Sequence, residues 1–260
     1  MNDAPTPQPA GSLEHASDLV VMISGGFKTT YQALLPDFER QTGACVLTVP
    51  GPSMGKTEHA IPQRLAHGEA ADVLIMVGPA LDKLVAKGET VPGSEVELAL
   101  SPVGMGVRAG APMPDISTVE KFRQALLDAK SVAYSDSASG AYVSTELFKQ
   151  LGIEKEMASK AHEVQATPVG EIVAQGKAEI GFQEVAELLP VKGVTFAGRI
   201  PEEVELHTRF AAAVCRRSKD PELAAKLIAF LSAPDALPTL EKMGLEPPKK
   251  PAHAGAEKTQ

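Results

Sequence analysis

The hydrophobic pattern of this chain begins with a short apolar run that a polar turn separates from a helical repeat. Residues 19–23 (LVVMI) are typical of a buried strand. Ser24, Gly25 and Gly26 then form a turn, and a helix is predicted over 27–41 because its apolar residues recur every three to four positions. The free N–H groups of such a helix start favour an anion.

A second unit of the same kind spans residues 131–152. A strand is predicted around 132–134, and helical spacing of apolar residues follows as far as Gly152. The turn between them carries Ser135, Ser137 and Ser139. These hydroxyls could meet an anion, or Ser137 or Ser139 could merely cap the helix. Two such turns could present their donors to one ligand from opposite sides of a cleft.

The rest of the chain continues the alternation of strands and helices, which predicts an α/β fold whose parallel sheet is covered on both faces. Further strands are predicted at 45–49, 71–77, 96–108, 163–166, 180–183, 193–197 and 205–215. Further helices are predicted up to residue 66 and at 79–86, 118–129, 171–175, 184–189, 221–231 and 234–243.

The domain organisation follows from two segments that suit crossings between domains. Pro102 lies inside the long strand 96–108, where a crossing fits better than a central strand, and 193–197 is the second candidate. Crossovers near Ser101 and Ala197 would make a hinge, with the ligand between two α/β domains. We expect domain 1 to comprise 18–100 plus 197–245, domain 2 to be the inserted 101–196, and the polar ends 1–17 and 246–260 to be disordered.

Composition narrows the functional classes. The 260 residues are 43% hydrophobic but only 4% aromatic, and the net charge is −8, which argues against nucleic acid and anionic membrane surfaces. No apolar run approaches a transmembrane length, so no membrane insertion is expected. Cys45 and Cys215 favour two buried thiols, with a disulfide as the alternative. Residues 1–17 contain no apolar core of a signal peptide. The chain could therefore be a mature exported protein in which Met1 stands in place of the leader peptide, or it could be a cytosolic protein.

Several segments resemble the type II periplasmic binding proteins, in particular their molybdate-binding branch. The matching stretches are the Ser24 turn, AADVLIMVGPALDKLVAKG, FKQLGI, and GEIVAQGKAEIGF followed by VKGV. The resemblance implies two hinged domains and an oxyanion held by uncharged donors. Ser24 would match the first serine, Ser53 the second, and Ser137-Ala138 and Val169 the backbone donors.

One position departs from that pattern. The molybdate binders use a tyrosine hydroxyl where a gapless alignment places Glu184, or Gln183 after a slip of one residue. A carboxylate would repel an oxyanion, so the departure favours an organic acid. A polycarboxylate needs cationic partners, and Lys28, Lys56, Arg64 and Arg209 lie near the expected cleft, unless each is a solvated surface charge.

The runs GGF, YSDSASG and GFQ are similar to those of the aconitate isomerases, enzymes of this fold that interconvert cis- and trans-aconitate. The resemblance implies an allylic proton shift with no cofactor and no metal, in which a base removes a methylene proton and an acid returns one. Glu184 is the first candidate base and Lys56 the second. His59, His67 and His207 are the alternatives, and His207 shares a strand face with Arg209.

Two functions remain open from the sequence. The first is an isomerase acting on aconitate or a similar tricarboxylate. The second is a non-catalytic protein that delivers molybdate or a small organic anion to an ABC transporter, whose permease would be a partner in that case alone. Both predict a monomer with a small anionic ligand, and a periplasmic location with a cytoplasmic one as alternative. Besides the catalytic candidates, the predicted ligand-binding residues are Ser24, Gly25, Ser53, Ser135, Ser137, Ser139, Val169, Gln183 and Arg209.

Overall fold

The computed structural model describes residues 17–165 and 167–248. In that part of the chain the predicted strands are present, with ends that differ by at most two residues. The strands are β1 (Leu19–Ile23), β2 (Val46–Pro50), β3 (Val73–Val77), β4 (Val96–Arg108), β5 (Val132–Ser135), β6 (Ala161–Val164), β7 (Ile180–Glu184), β8 (Val194–Arg199) and β9 (His207–Val214).

These strands form one continuous mixed sheet. Its order is β2-β1-β3-β9-β4-β7-β5-β6, and β8 pairs with β4 outside that path. β1 is parallel to β2 and β3, and β5 is parallel to β6 and β7. β9 and β4 run antiparallel to their neighbours, so the expectation of an all-parallel sheet was wrong. The reason is that β4 and β9 carry the chain between the two halves of the sheet.

The helices follow the strands and cover the sheet. They are α1 (Gly25–Thr42), α2 (Ile61–Ala66), α3 (Gly78–Ala86), α4 (Val119–Asp128), α5 (Ala138–Tyr142), α6 (Phe148–Gln150), α7 (Glu154–Met157), α8 (Val169–Ala174), α9 (Val185–Leu188), α10 (Pro221–Leu231) and α11 (Leu237–Lys242). A π-helical turn, Val143–Leu147, joins α5 to α6.

Two groups of hydrophobic cores lie along the sheet. One is built on β1, β3 and β9 and contains the buried face of α1 and the apolar side of α10. The other is built on β5 and β7 with α4 and α8. Strand β4 belongs to both, because residues 96–102 pair with β9 and residues 103–108 pair with β7 and β8.

The second crossing lies later in the chain than expected. β8 pairs with residues 104–108, so it belongs to the second half of the sheet. The chain returns to β9 after Arg199, through a 3-10 turn at Glu202–Val204. The placement of a crossing at 193–197 was therefore wrong, while the division into domains 18–100 plus 197–245 and 101–196 stays a prediction.

The start of the predicted disordered tail is ordered. Leu100 donates its N–H to the Glu246 carbonyl at 2.9 Å, and Glu246 donates back to the Leu100 carbonyl at 2.8 Å. The Glu246 carboxylate also contacts Arg199 at 2.6 Å and His207 at 3.0 Å. Backbone pairing to β4 thus corrects the expectation for residue 246. Residues 1–16 and 249–260 of the two expected disordered ends lie outside the described residues.

Both cysteines are free thiols. Cys215 is buried, as expected, whereas Cys45 is exposed, so the expectation that both thiols are buried was wrong for Cys45. Cys45 precedes β2, the outer strand of the sheet, which explains its exposure.

In residues 17–165 and 167–248 we find no single helix that is long and apolar enough to cross a membrane. The bent pair Pro221–Leu231 and Pro234–Lys242 meets those criteria together. The apolar residues of α10 pack in the first core.

Candidate functional site

A cavity of about 200 Å³ lies where the start of α1 faces the turn between β5 and α5. Its other walls come from the loop after β2 and from the end of β7 and the start of α9. The lining residues are Ser24, Gly25, Gly26, Pro52, Ser53, Met54, Gly55, Thr57, Val77, Asp136, Ser137, Ala138, Glu184, Glu187 and Phe210.

Ser24 connects β1 to α1 and faces this cavity. Its backbone N–H donates to the Ile75 carbonyl at 3.0 Å, which fixes the turn against β3. The side chain is 5% exposed, does not cap the helix, and its Oγ has no hydrogen-bond partner. A buried hydroxyl without a partner is costly, so Ser24 Oγ is available to a ligand. The first N–H groups of α1 lie beside it, free of intrahelical partners.

Ser53 fixes the loop that follows β2. Its Oγ accepts a hydrogen bond from the Val77 N–H at 2.9 Å, which ties the loop to the end of β3. The loop residues Met54, Gly55 and Thr57 then reach the cavity wall. Lys56 lies between two lining residues, but its side chain is exposed and does not line the cavity.

The serines of the β5–α5 turn bond to one another. Ser135 and Ser137 hydroxyls are 2.7 Å apart, and Ser137 and Ser139 hydroxyls are 3.1 Å apart. Ser137 and its neighbour Asp136 line the cavity, whereas Ser135 and Ser139 are buried behind them. Ser137 precedes α5 and makes no capping hydrogen bond, and Ser137 and Ala138 line the same cavity as the start of α1.

Glu184, at the end of β7, is a buried carboxyl on the cavity wall. It is 4% exposed, and its Oε2 has no hydrogen-bond partner. Burial raises its pKa well above the usual range, and the nearby Glu187 raises it further. The hydroxyls of Ser101 and Thr208 approach the carboxyl and lower the pKa, but neither completes a hydrogen bond of standard geometry.

Glu187, on α9, is a second carboxyl on the same wall. Gln183 Nε2 donates to its Oε2 at 2.9 Å, while Gln183 Oε1 accepts from the Gly170 N–H at 3.1 Å. Burial raises the pKa of Glu187, and the hydrogen bond from Gln183 opposes that effect. Gln183 therefore holds the Glu187 carboxyl in position through one of its two oxygens. Val169 is fully buried, and neither Gln183 nor Val169 lines the cavity.

Both carboxyls lie against the glycines that begin α1. A Cβ at Gly25 would overlap Glu187 Oε1, and a Cβ at Gly26 would overlap Glu184 Oε2 and lie 2.6 Å from Phe210 Cζ. Glycine at these two positions thus lets two acidic side chains approach the helix start. The helix dipole favours negative charge there.

Arg209 is not in the cavity, which corrects the predicted faces of β9. Its Nη2 contacts both Asp82 carboxylate oxygens at 2.7 Å, and its Nη1 contacts Glu95 at 2.9 Å. The residues that face the site are instead Thr208, which approaches Glu184, and Phe210, which lines the cavity. Alternation along the strand was correct, but the two faces were assigned in reverse.

The other candidate cations and histidines also lie away from the cavity. Arg64 pairs with Glu69 at 2.7 Å, His59 lies 3.5 Å from Glu58, and His207 contacts Glu246. Lys28 is half-buried on α1 and His67 is exposed after α2. No Lys, Arg or His is among the lining residues, so the expectation of a cation-lined cleft is not met in this structure.

A larger cavity of about 420 Å³ lies elsewhere, between the loop at 111–115 and α4. Two of its charged residues, Lys121 and Asp115, form an exposed ion pair at 2.8 Å. Of these two cavities, and within residues 17–165 and 167–248, the one at the start of α1 is lined by buried polar groups without partners, namely Ser24 and Glu184. In the described ranges, 17–165 and 167–248, we find no group of three or more His, Cys, Asp or Glu side chains arranged to hold a metal ion.

The sequence indicated part of this site. Ser24, Gly25, Ser53, Ser137 and Glu184 are brought together, while Ser135, Ser139, Gln183 and Val169 support the walls from behind. Glu187 was missed. Its signal was present, because it follows Glu184 by three residues and Gln183 by four, the spacings at which helical side chains meet.

Comparison with known proteins places these features in context. The family model for bacterial extracellular solute-binding proteins matches residues 19–246. An aconitate isomerase from Pseudomonas sp is 44% identical over 239 residues, covering 92% of this chain and 91% of that protein. The molybdate-binding protein ModA of Mycobacterium bovis is 24% identical, covering 95% and 91%. The periplasmic molybdate-binding protein of Azotobacter vinelandii superposes with a TM-score of 0.73 at 19% identity, covering 89% of this chain and 100% of that structure.

Proposed function

This chain belongs to the family of bacterial extracellular solute-binding proteins, and from that premise we propose that it is an isomerase that interconverts cis- and trans-aconitate, or a similar tricarboxylate, in its cavity. The 44% identity to an aconitate isomerase over nearly the whole of both chains supports this assignment. The same family premise supports a periplasmic location and a small anionic ligand.

The observation that carries the proposal is the buried Glu184 carboxyl on the cavity wall. A protein that only holds a bare oxyanion gains nothing from a carboxyl beside it, since like charges repel. A proton-transfer enzyme needs such a group, and burial raises the pKa of Glu184 above its usual range, which makes its carboxylate a stronger base. Glu184 is therefore our candidate for the base.

The proposed reaction moves one proton across an allyl system. Glu184 takes a proton from the methylene carbon, and the electron pair of that C–H bond spreads over the allyl carbons and the adjacent carboxylate. A proton then adds to the opposite end of the allyl system. The double bond moves to the neighbouring pair of allyl carbons, and its new cis or trans geometry is fixed at that point. The substrate has no net gain or loss of protons or electrons.

The ligand carboxylates would be held mainly by neutral donors. Ser24, Ser137 and the first residues of α1 and α5 line the cavity, so their hydroxyls and free N–H groups are the candidate donors. Those N–H groups also stabilise the negative charge that develops on the substrate. Lys56 is the nearest candidate for a cationic contact, because it lies between the lining residues Gly55 and Thr57.

The alternative is a non-catalytic protein that binds a small anion and hands it to a membrane permease. The convergence of Ser24, Ser53 and Ser137 on one cavity favours it, because these are the positions at which the sequence resembles the molybdate binders. The two functions differ in what they require of Glu184.

The experiment is to incubate the purified protein with cis-aconitate and to follow trans-aconitate by chromatography. The wild type should convert it, Glu184→Gln should lose at least about a hundredfold in kcat, and Glu171→Gln, which changes an exposed carboxylate on α8, should match the wild type. If the wild type converts no aconitate in either direction, the isomerase proposal fails and the binding-protein alternative remains.

A further inference from the structure

More carboxyl side chains line the cavity than a single general base accounts for. Asp136, Glu184 and Glu187 line it, without a lysine, arginine or histidine among the lining residues. Glu184 and Glu187 lie against two successive residues of one helix start, Gly26 and Gly25. Two carboxylates held this close in a buried wall cannot both ionise easily, and they titrate as a pair.

We propose that Glu187 is the second proton carrier of this site and that Glu184 and Glu187 hold one proton between them. This inference rests on the proposed isomerase function. It assigns the acid of the reaction, as the previous section assigned the base.

The contacts divide the two roles. Glu184 lines the cavity, and its Oε2 is buried beside Gly26 without a hydrogen-bond partner, so the lone pairs of that oxygen are not engaged by the protein. Glu187 has one oxygen, Oε2, held by Gln183 at 2.9 Å, while Oε1 faces the start of α1. A proton on Oε1 is then directed towards the cavity, because the other oxygen is occupied as an acceptor.

The direction of the pKa shifts agrees with a single proton held by the pair, while the division of roles rests on the contacts. Burial raises the pKa of both carboxyls, and the charge of Glu187 raises that of Glu184 further. The groups that face the pair from the packed elements are uncharged, namely Ser101 on β4, Thr208 on β9 and Gln183 on β7. Asp136 is the remaining titratable group on the cavity wall.

The reaction balances with this pair alone. The Glu184 carboxylate removes the methylene proton and becomes a carboxylic acid. The Glu187 carboxylic acid donates its proton to the other end of the allyl system and becomes a carboxylate. The substrate gains and loses one proton, and the pair still holds one. The pair is then set for the reverse reaction, and proton exchange with solvent restores the starting arrangement.

The test uses Glu187→Gln and separates proton removal from proton return. In D2O, the wild type should isomerise aconitate and exchange methylene protons, both observed by NMR. Glu187→Gln should still exchange methylene protons but isomerise at least about a hundredfold more slowly. It should also lose the high-pH limb of the kcat profile, where the acid must be protonated. Glu171→Gln serves as the control and should keep both activities.

Three results would overturn the inference. One is isomerisation by Glu187→Gln within threefold of the wild type. Another is loss of exchange and isomerisation together in Glu187→Gln that still binds propane-1,2,3-tricarboxylate, a saturated analogue. The third concerns the wild type alone. Infrared difference spectra between pH 5 and 9 should show a side-chain carboxyl that is still protonated at pH 7. The absence of that carboxyl signal would refute the shared proton. If the wild type itself does not isomerise, the proposed function is what fails, whatever the variants do.

Discussion

At the scale of single residues, Ser24 shows how a binding site differs from a merely stable turn. Its hydroxyl is buried without a hydrogen bond, which costs about 1–3 kcal/mol in the absence of a ligand. Ser24→Ala should therefore leave the melting temperature unchanged or raise it, yet weaken ligand binding by about 1.5–3 kcal/mol if the acceptor is a carboxylate. Calorimetry and thermal unfolding of the same variant measure both effects.

Thr30 provides the matched control for Ser24. Its hydroxyl is also buried without a partner and lies on α1, the helix that Ser24 precedes, but it does not line the cavity. Thr30→Val should change stability in the same direction without changing affinity. Unchanged affinity of Ser24→Ala for every anion tested would remove Ser24 from the site.

The two glycines at the start of α1 lead to a prediction about packing. A methyl group at Gly26 meets both the Glu184 carboxyl and the Phe210 ring, whereas one at Gly25 meets only the end of the Glu187 side chain. Gly26→Ala should lower stability by about 1–3 kcal/mol, as overpacking does, and Gly25→Ala by less. Denaturant unfolding of both variants checks the order, and equal stability of Gly26→Ala and the wild type would contradict the close approach of Glu184.

At the scale of elements, β9 shows what a strand pattern can and cannot predict. Alternation separates Thr208 and Phe210 from His207 and Arg209, and the structure keeps that separation. The pattern does not say which face meets the cavity, because that depends on how β9 pairs with β3 and β4 far away in the sequence. An arginine on a partly apolar strand suggested a ligand, but Asp82 and Glu95 supply its partners.

Arg209→Lys tests this revised role. The change keeps the charge but loses the fork that bridges Asp82 and Glu95. Because these are partly exposed ion pairs, we expect a loss of about 1 kcal/mol or less in stability and less than a twofold change in kcat/KM. A tenfold loss of kcat/KM with unchanged stability would instead show that Arg209 contacts the ligand.

The strand–turn–helix units were predictable because their signals are local. The run 19–23, the Ser24 turn and the repeat ending at Gly43 fix β1 and α1 without tertiary information. Glu187 was harder to recognise, since it lies in the apolar segment VAELL after β7, where a lone glutamate is typical of a solvated helix face. Its spacing from Gln183 and Glu184 indicates that these side chains could meet, but its approach to Gly25 depends on the packing of α9 against α1, which no local pattern indicates.

At the scale of the whole molecule, the predicted α/β fold of the type II periplasmic binding proteins is confirmed by the family match and by the superposition on a molybdate-binding protein. The cavity joins both halves of the sheet, since β1 supplies Ser24 while β5 and β7 lead to Ser137 and Glu184. A ligand that contacts both halves of the sheet links them, so binding should be visible as a change in global stability.

That expectation separates the two candidate ligands. At a hundred times its Kd, a ligand adds about 2.7 kcal/mol to the free energy of unfolding, or about 5–10 °C in melting temperature for a chain of this size. We expect the aconitates to reach such a shift at pH 7, and molybdate, tungstate and sulfate not to. The physical reason is that a tricarboxylate can keep its carboxylates on the neutral donors and turn a carbon towards the Glu184–Glu187 pair, whereas a small rigid oxyanion would have to lie against the remaining negative charge of that pair.

The same melting temperatures measured at several pH values test the effect of the charge on Glu184 and Glu187 separately from the effect of ligand size. The pKa values of Glu184 and Glu187 are higher in the folded chain than in the unfolded one, so the folded state binds more protons in that range. Stability without ligand should therefore fall as the pH rises from the unfolded to the folded pKa values of the pair. Any shift by molybdate should grow as the pH is lowered and the pair becomes neutral. A molybdate shift that is large at pH 8 and flat with pH, beside no shift by either aconitate, would show that these carboxyls do not face the ligand and would leave the transport function standing.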